Sequence, residues 1–149
     1  MRIERAHGLR DRHGASHAGA FLRERRIAFD CTSDEFARIF VHELFHFVWV
    51  RLGNGRRHDY EEILRAELHA GARGELGWSA ELRKEALATR DVEARTRRWR
   101  EYCCESFCDS AAWLYSGVGS HVEFTLAARF RGARRAWFEK TVESIRLSI

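Results

Sequence analysis

One stretch constrains the fold more than any other. From Ser33 to Leu52 the chain reads as a helix that is apolar nearly all round, interrupted by His42, Glu43 and His46. Phe36, Ile39, Phe40, Val41, Leu44, Phe45, Phe47, Val48, Trp49 and Val50 leave it no broad solvent face, so it is expected to be the buried central helix. Thr32-Ser33-Asp34-Glu35 fits a capping box at its start, and Gly53-Asn54-Gly55 a stop at its end. Polar side chains inside such an element need partners, because burying them unpaired is costly.

Those polar residues form His42-Glu43-Leu44-Phe45-His46, the pattern H-E-x-x-H. Histidines four apart project from one helical face, so both imidazoles can reach one ion, and zinc is the expected one. Glu43, beside His42, is placed to take a proton from water without itself binding the metal. A third protein ligand is expected from a second helix, running from Asp91 to about Tyr115, where Glu101, Glu105 and Asp109 share one face. Glu105 is the expected ligand, and Asp109 the carboxylate that accepts the outer N–H of a ligating histidine. Glu101 as ligand, with Glu105 behind it, stays open. Trp99, Cys103, Phe107, Ser110 and Leu114 form the core-facing stripe of the same helix. The four cysteines, with Cys103 and Cys104 adjacent and Cys104 and Cys108 one turn apart, are expected as reduced, buried thiols; a cysteine zinc site is the sharper alternative, although no second Cys-x-x-Cys pair completes it.

Residues 1 to 18 read as a loosely ordered lead-in whose His7, His13 and His17 face solvent. Ala20 to Phe29 reads as two short strands around a charged turn at Arg23 to Arg25, one of them offering its edge to an extended substrate. Arg56-Arg57-His58 is expected as loop, followed by a helix capped by Asp59 and ending at Gly71. His58 and His69 are candidate ligands by residue type only. A glycine-bearing loop spans 71 to 77, and Ser79 is expected to cap a helix over 80 to 89. A last helix from about Arg131 to Leu147 is expected to pack through Ala133, Trp137, Val142 and Ile145. His121, Tyr102 and Tyr115 are equally open as donors to a developing oxyanion.

At 149 residues, with 45% hydrophobic and 32% charged side chains, the chain is expected to form one domain, 1–149. No apolar run is long enough to span a bilayer, and the first residues carry no signal-peptide core, so the cytoplasm is the expected location. The net charge is +4, and of 26 basic residues only Lys84 and Lys140 are lysines. Many arginines alternate with glutamates, as on a solvated helix face, so a nucleic-acid partner is not expected, although Arg95 to Arg100 and Arg129 to Arg135 are basic clusters.

H-E-L-x-H at 42 to 46, preceded by the strand Arg-Ile-Ala-Phe and followed by E-x-x-[AC]-[ND]-x-x-A at Glu105 to Ala112, resembles the gluzincins and, more closely, the small ImmA/IrrE-type metallopeptidases. The resemblance covers about residues 20 to 115 and is carried by the two motifs. It implies a small, mostly helical α+β zincin-like domain with a short antiparallel sheet beside the active-site helix. It further implies zinc held by His42, His46 and Glu105, Asp109 behind them, Glu43 as general base, and hydrolysis of peptide bonds in a peptide or protein. The sequence departs from the family at Phe45, where glycine is usual, at Asp109, where asparagine is usual, and at Trp113-Leu-Tyr-Ser, where a leucine-rich stretch with proline follows. The segment from 59 to 90 is expected as an inserted helical pair. A metzincin is excluded, since Leu52 stands where its third histidine would be. The alternatives are a silent module of the same fold that meets nucleic acid through its arginines, and a structural zinc domain with four protein ligands.

Overall fold

The computed structural model describes residues 1–11, 14–15, 18–30 and 33–142. The chain is α+β and mostly helical. Among the described residues five short strands, β1 (Arg2–Arg5), β2 (Arg10–Asp11), β3 (Gly14–Ala15), β4 (Ala18–Phe21) and β5 (Arg26–Phe29), precede the helices. These are α1 (Ser33–Arg51), α2 (Asn54–His69), α3 (Trp78–Glu85), α4 (Thr89–Glu93), α5 (Arg97–Tyr115) and α6 (Ala128–Thr141).

The hairpin expected between Ala20 and Phe29 is present as β4 and β5, antiparallel with Phe21 opposite Arg26. No Asn-Gly supplies the turn; Arg25 instead takes a left-handed conformation, φ 48°. The main sheet is not purely antiparallel. Its order is β1-β5-β4, with β1 parallel to β5, so part of the expected loose lead-in is a strand. Hydrophobic patterning gave no sign of β1 because Arg2, Ile3 and Arg5 are exposed and the strand is held by its backbone pairing. His13 and His17 lie outside the described residues, as does Thr32 of the expected capping box.

The helix α1 is apolar nearly all round because it is covered on two sides. Ile39, Phe40, Leu44 and Phe47 meet Ile27 and Phe29 of the sheet, while Phe45, Val48 and Trp49 enter the larger core with Phe107 and Phe138. Phe36 and Val50 remain exposed. Phe45 packs 5.8 Å from Phe107, 5.6 Å from Tyr115 and 6.2 Å from Phe138, ring centre to ring centre, so a glycine there would leave this aromatic cluster without its middle member.

Several boundaries differ from expectation. Leu52 and Gly53 make the break after α1, and α2 begins at Asn54, so Arg56-Arg57-His58 is helical rather than loop. The helix α3 begins at Trp78, placing Ser79 inside its first turn instead of at its cap. The long helix expected from Asp91 is two helices, because Asp91 accepts bonds from the Ala88 N–H and the Thr96 hydroxyl, and Arg95 turns the chain at φ 48°. The last helix starts at Ala128 and buries Trp137 and Val142 but exposes Ala133; Ile145 lies outside the described residues.

Behind α5 lies a buried ionic network. Arg134 of α6, fully buried, bonds Glu67 of α2 at 2.6 Å, Glu75 of the 70–77 loop at 2.7 Å, and the Ser106 and Ser110 hydroxyls of α5. Glu75 also accepts from Tyr102 at 2.6 Å and pairs with Lys84. Burial alone would raise the Glu75 pKa; the charges of Arg134 and Lys84 hold it at about 2. This network joins four segments to the rear of the helix whose front carries Glu105 and Asp109.

Candidate metal centre

The two motif helices are antiparallel neighbours, since His42 meets Asp109 and His46 meets Cys104. This pairing turns two helical periodicities into one site. His42 Nε2 and His46 Nε2 are 3.3 Å apart. Glu105 Oε2 lies 3.3 Å from the first and 3.9 Å from the second. Ligands of a tetrahedral zinc, at about 2.0–2.1 Å from the metal, stand about 3.3–3.4 Å from one another, so the three atoms are nearly at coordination spacing.

The outer nitrogens fix which atoms face this point. His42 Nδ1 lies 2.7 Å from Asp109 Oδ1 and donates to it, which leaves Nε2 with its lone pair inward in the neutral ring. His46 Nδ1 lies 3.5 Å from Cys104 Sγ. Two imidazole nitrogens and a carboxylate oxygen therefore converge in a mostly buried space, a donor set whose chemistry fits a cation such as zinc. Burial lowers the His42 pKa, but the charge and hydrogen bond of Asp109, then Glu105 and Glu43, more than offset it and leave the ring well above its ordinary value. His46 is also raised: burial opposes protonation, and the Cys104 contact and Glu105 outweigh it. Burial works against ionised Glu105 too, yet the His42 hydrogen bond and the charges of His46, His42 and Arg83 hold it at about 2. The second Glu105 oxygen is 3.2 Å from Arg83 of α3, so the carboxylate is aimed from both sides.

Asp109 does two jobs. Its Oδ1 holds His42, and its Oδ2 accepts the Ala80 N–H, supplying α3 with the cap that Ser79 does not. Gly77 makes this possible, for any Cβ at that position would collide with the Asp109 carboxylate. Gly77→Ala is therefore expected to lower stability by about 1–3 kcal/mol and to weaken metal binding about 10–100-fold through His42. Urea unfolding and a zinc titration check this; unchanged metal affinity would mean that Asp109 does not orient His42.

Glu101 is not placed like Glu105: it pairs with Arg97 on the exposed start of α5, and Glu105 is the carboxylate that meets both histidines. Glu43 is half-buried, and its charge reaches His42. His58 lies beside Glu62, and His69 Nδ1 is 2.8 Å from the Arg65 carbonyl, so α2 brings neither into this cluster. Of the three candidate oxyanion donors, Tyr102 is buried and spends its hydroxyl on Glu75. His121 is engaged at both nitrogens, by Glu35 and by the Glu123 N–H. Tyr115 is partly exposed, stacked on Phe45.

Among the described residues the cysteines are free thiols as expected, but residue type and spacing did not place two of them beside the histidines. Cys104 touches His46, and Cys108 offers its sulfur within 4.8 Å of ligand atoms of both His42 and His46. The available signal was their position one residue before and three after Glu105, on the same side of α5. A second group, Glu35, His121 and Glu123, also has metal-compatible spacing, but the Arg38 guanidinium already serves it, bonding Glu123 at 2.8 and 2.9 Å and Glu35 at 2.6 Å. Among the described residues no helix is long and apolar enough to cross a membrane. Compared with family models, curated proteins and solved structures, the chain matches none.

Proposed function

We propose that this chain is a zinc-dependent peptidase in which His42, His46 and Glu105 hold the metal and Glu43 is the general base. The observation that carries the reading is the convergence of the two Nε2 atoms and Glu105 Oε2, at separations of 3.3, 3.3 and 3.9 Å. Three protein donors leave one tetrahedral position open, as catalytic sites require. When bound, the ion would supply a Lewis acid for the scissile carbonyl and lower the pKa of water.

The chain's own residues do the rest. Asp109 keeps His42 in the tautomer that presents Nε2, and Arg83 steers Glu105. Glu43 takes a proton from the attacking water and returns it to the leaving amine nitrogen. An extended peptide is the substrate shape proposed, since β4 is an outer strand of the sheet that packs on α1 through Ala18 and Ala20. The cytoplasm is the proposed place of action.

The test is metal content and peptide hydrolysis measured together. Wild-type protein is expected to bind one zinc per chain and to cleave an unstructured protein such as casein, with activity lost to a chelator and restored by zinc. Glu105→Ala is expected to abolish cleavage and to lower zinc affinity by two orders of magnitude or more, roughly what loss of one charged ligand removes. Stoichiometric zinc in Glu105→Ala at unchanged affinity would sink the assignment.

One observation favours a second reading, a closed structural zinc site: the nearness of Cys108 to both histidines. A thiolate there would be the fourth ligand and would leave no place for water. The open reading is preferred because Glu105 Oε2 lies 3.3 and 3.9 Å from the two Nε2 atoms, nearly at coordination spacing, and because a structural site has no use for a carboxylate such as Glu43 next to His42. Cobalt substitution separates them, since only the closed site gives a thiolate-to-cobalt charge-transfer band.

A further inference from the structure

A cavity of about 800 Å³ opens at the far end of the α1–α5 pair from Asp109, lined by Trp49, Asn54, Arg57, His58, Arg95 and Arg100 among others. It shares no residue with the metal centre. It lies one helical turn beyond His46 along α1, at Trp49, and one turn before Cys104 along α5, at Arg100.

Three guanidinium groups line this space against one lining carboxylate. Glu61 takes Arg95 at 2.7 Å and also accepts from the Trp99 indole N–H, so its charge is largely used. Arg57 spends only Nε on the protein, donating to the Leu52 carbonyl, and lies 5.9 Å from the Trp49 ring. Arg100 spends one Nη on the Arg95 carbonyl. The remaining N–H groups of Arg57 and Arg100 have no protein acceptor among the described residues. The start of α2 adds to the same field, since it has no side-chain cap and no acidic residue in its first turn. Arginines at a helix start oppose the dipole, an arrangement that an anion seated between them would reverse.

We propose that this cavity is a binding site for a phosphoryl anion, held by Arg57 and Arg100, with Arg95 on the rim and the N-terminal amides of α2 beneath. Phosphate suits it better than a carboxylate: a dianion can engage two guanidinium forks and backbone amides together. The recess is larger than one phosphate, and Trp49 and Ala94 give it an apolar wall, so the ligand is a small phosphorylated molecule rather than a continuous phosphate backbone lying across an open surface. The proposal does not depend on the metal centre.

Calorimetric titration with pyrophosphate tests it on the full chain. Saturable binding at one site per chain is expected, weakened at least tenfold by Arg57→Ala and by Arg100→Glu, which is about 1.4 kcal/mol for each. Arg135→Glu carries the same charge change as Arg100→Glu on an exposed face of α6, beside Trp113, and is expected to alter binding less than twofold. Arg100 is exposed, so its variant separates loss of the site from loss of the fold, with the helical circular dichroism as control. Absence of saturable binding at millimolar pyrophosphate would overturn the proposal. So would equal weakening by Arg135→Glu and Arg100→Glu, which would mark a diffuse charge effect.

Discussion

Glu43→Gln is expected to leave zinc binding within about twofold of wild type and to lower the rate of peptide hydrolysis by at least 10²–10⁴-fold, the usual contribution of a positioned general base. The separation follows from the site. Glu43 stands outside the converging set of His42, His46 and Glu105, and the amide keeps the size of the side chain while removing its ability to take a proton. Turnover at the wild-type rate in Glu43→Gln would remove the proposed mechanism even with the metal in place.

Arg134→Met is expected to destabilise the fold by about 3–5 kcal/mol, because it leaves two buried carboxylates, Glu67 and Glu75, with Lys84 as the only cation of the network. That is a large share of the roughly 5–15 kcal/mol available to a domain of this kind. Urea unfolding should show a lower midpoint with an unchanged slope. Adding Glu67→Gln and Glu75→Gln to the variant should recover part of the loss, since the cost lies in uncompensated charge rather than in missing volume. A loss below about 1 kcal/mol in the single variant would mean that the network is solvated. The same network sets an acid limit. The Glu75 pKa is held below its unfolded value, so its contribution, on the order of 3 kcal/mol, is present above about pH 4.5 and is lost as pH falls toward 2. Glu75→Gln should flatten the stability profile across that window.

These two residues differ in how far the sequence announces them. Glu43 sits inside a five-residue pattern on one helix, and Glu105 and Asp109 follow a four-residue period on another, so local geometry carried most of the candidate site. What periodicity did not contain is how α1 and α5 face each other. That arrangement brings Glu105, and not Glu101, to the histidines and sets Cys104 and Cys108 beside them. Arg134 reads in sequence as one more arginine in the run Arg129 to Arg135. Its burial depends on Glu67, Glu75, Ser106 and Ser110, which arrive from three separate segments. Similarly, β1 has little apolar signal because its pairing is made by the backbone, and Gly77 reads as an ordinary loop glycine until the Asp109 carboxylate is seen against it. Phe45 belongs to the same class: its packing partners Phe107, Tyr115 and Phe138 are none of them near it in sequence.

The central claim is that one metal ion is held by two imidazoles and one carboxylate, with a position left for water. X-ray absorption at the zinc edge of the purified, zinc-loaded protein tests it most directly. The expected first shell is two nitrogens from His42 and His46 with two oxygens, one from Glu105 and one from water, all near about 2.0–2.1 Å. A sulfur scatterer near about 2.3 Å, removed by Cys108→Ser, would contradict it and make the site a closed structural one.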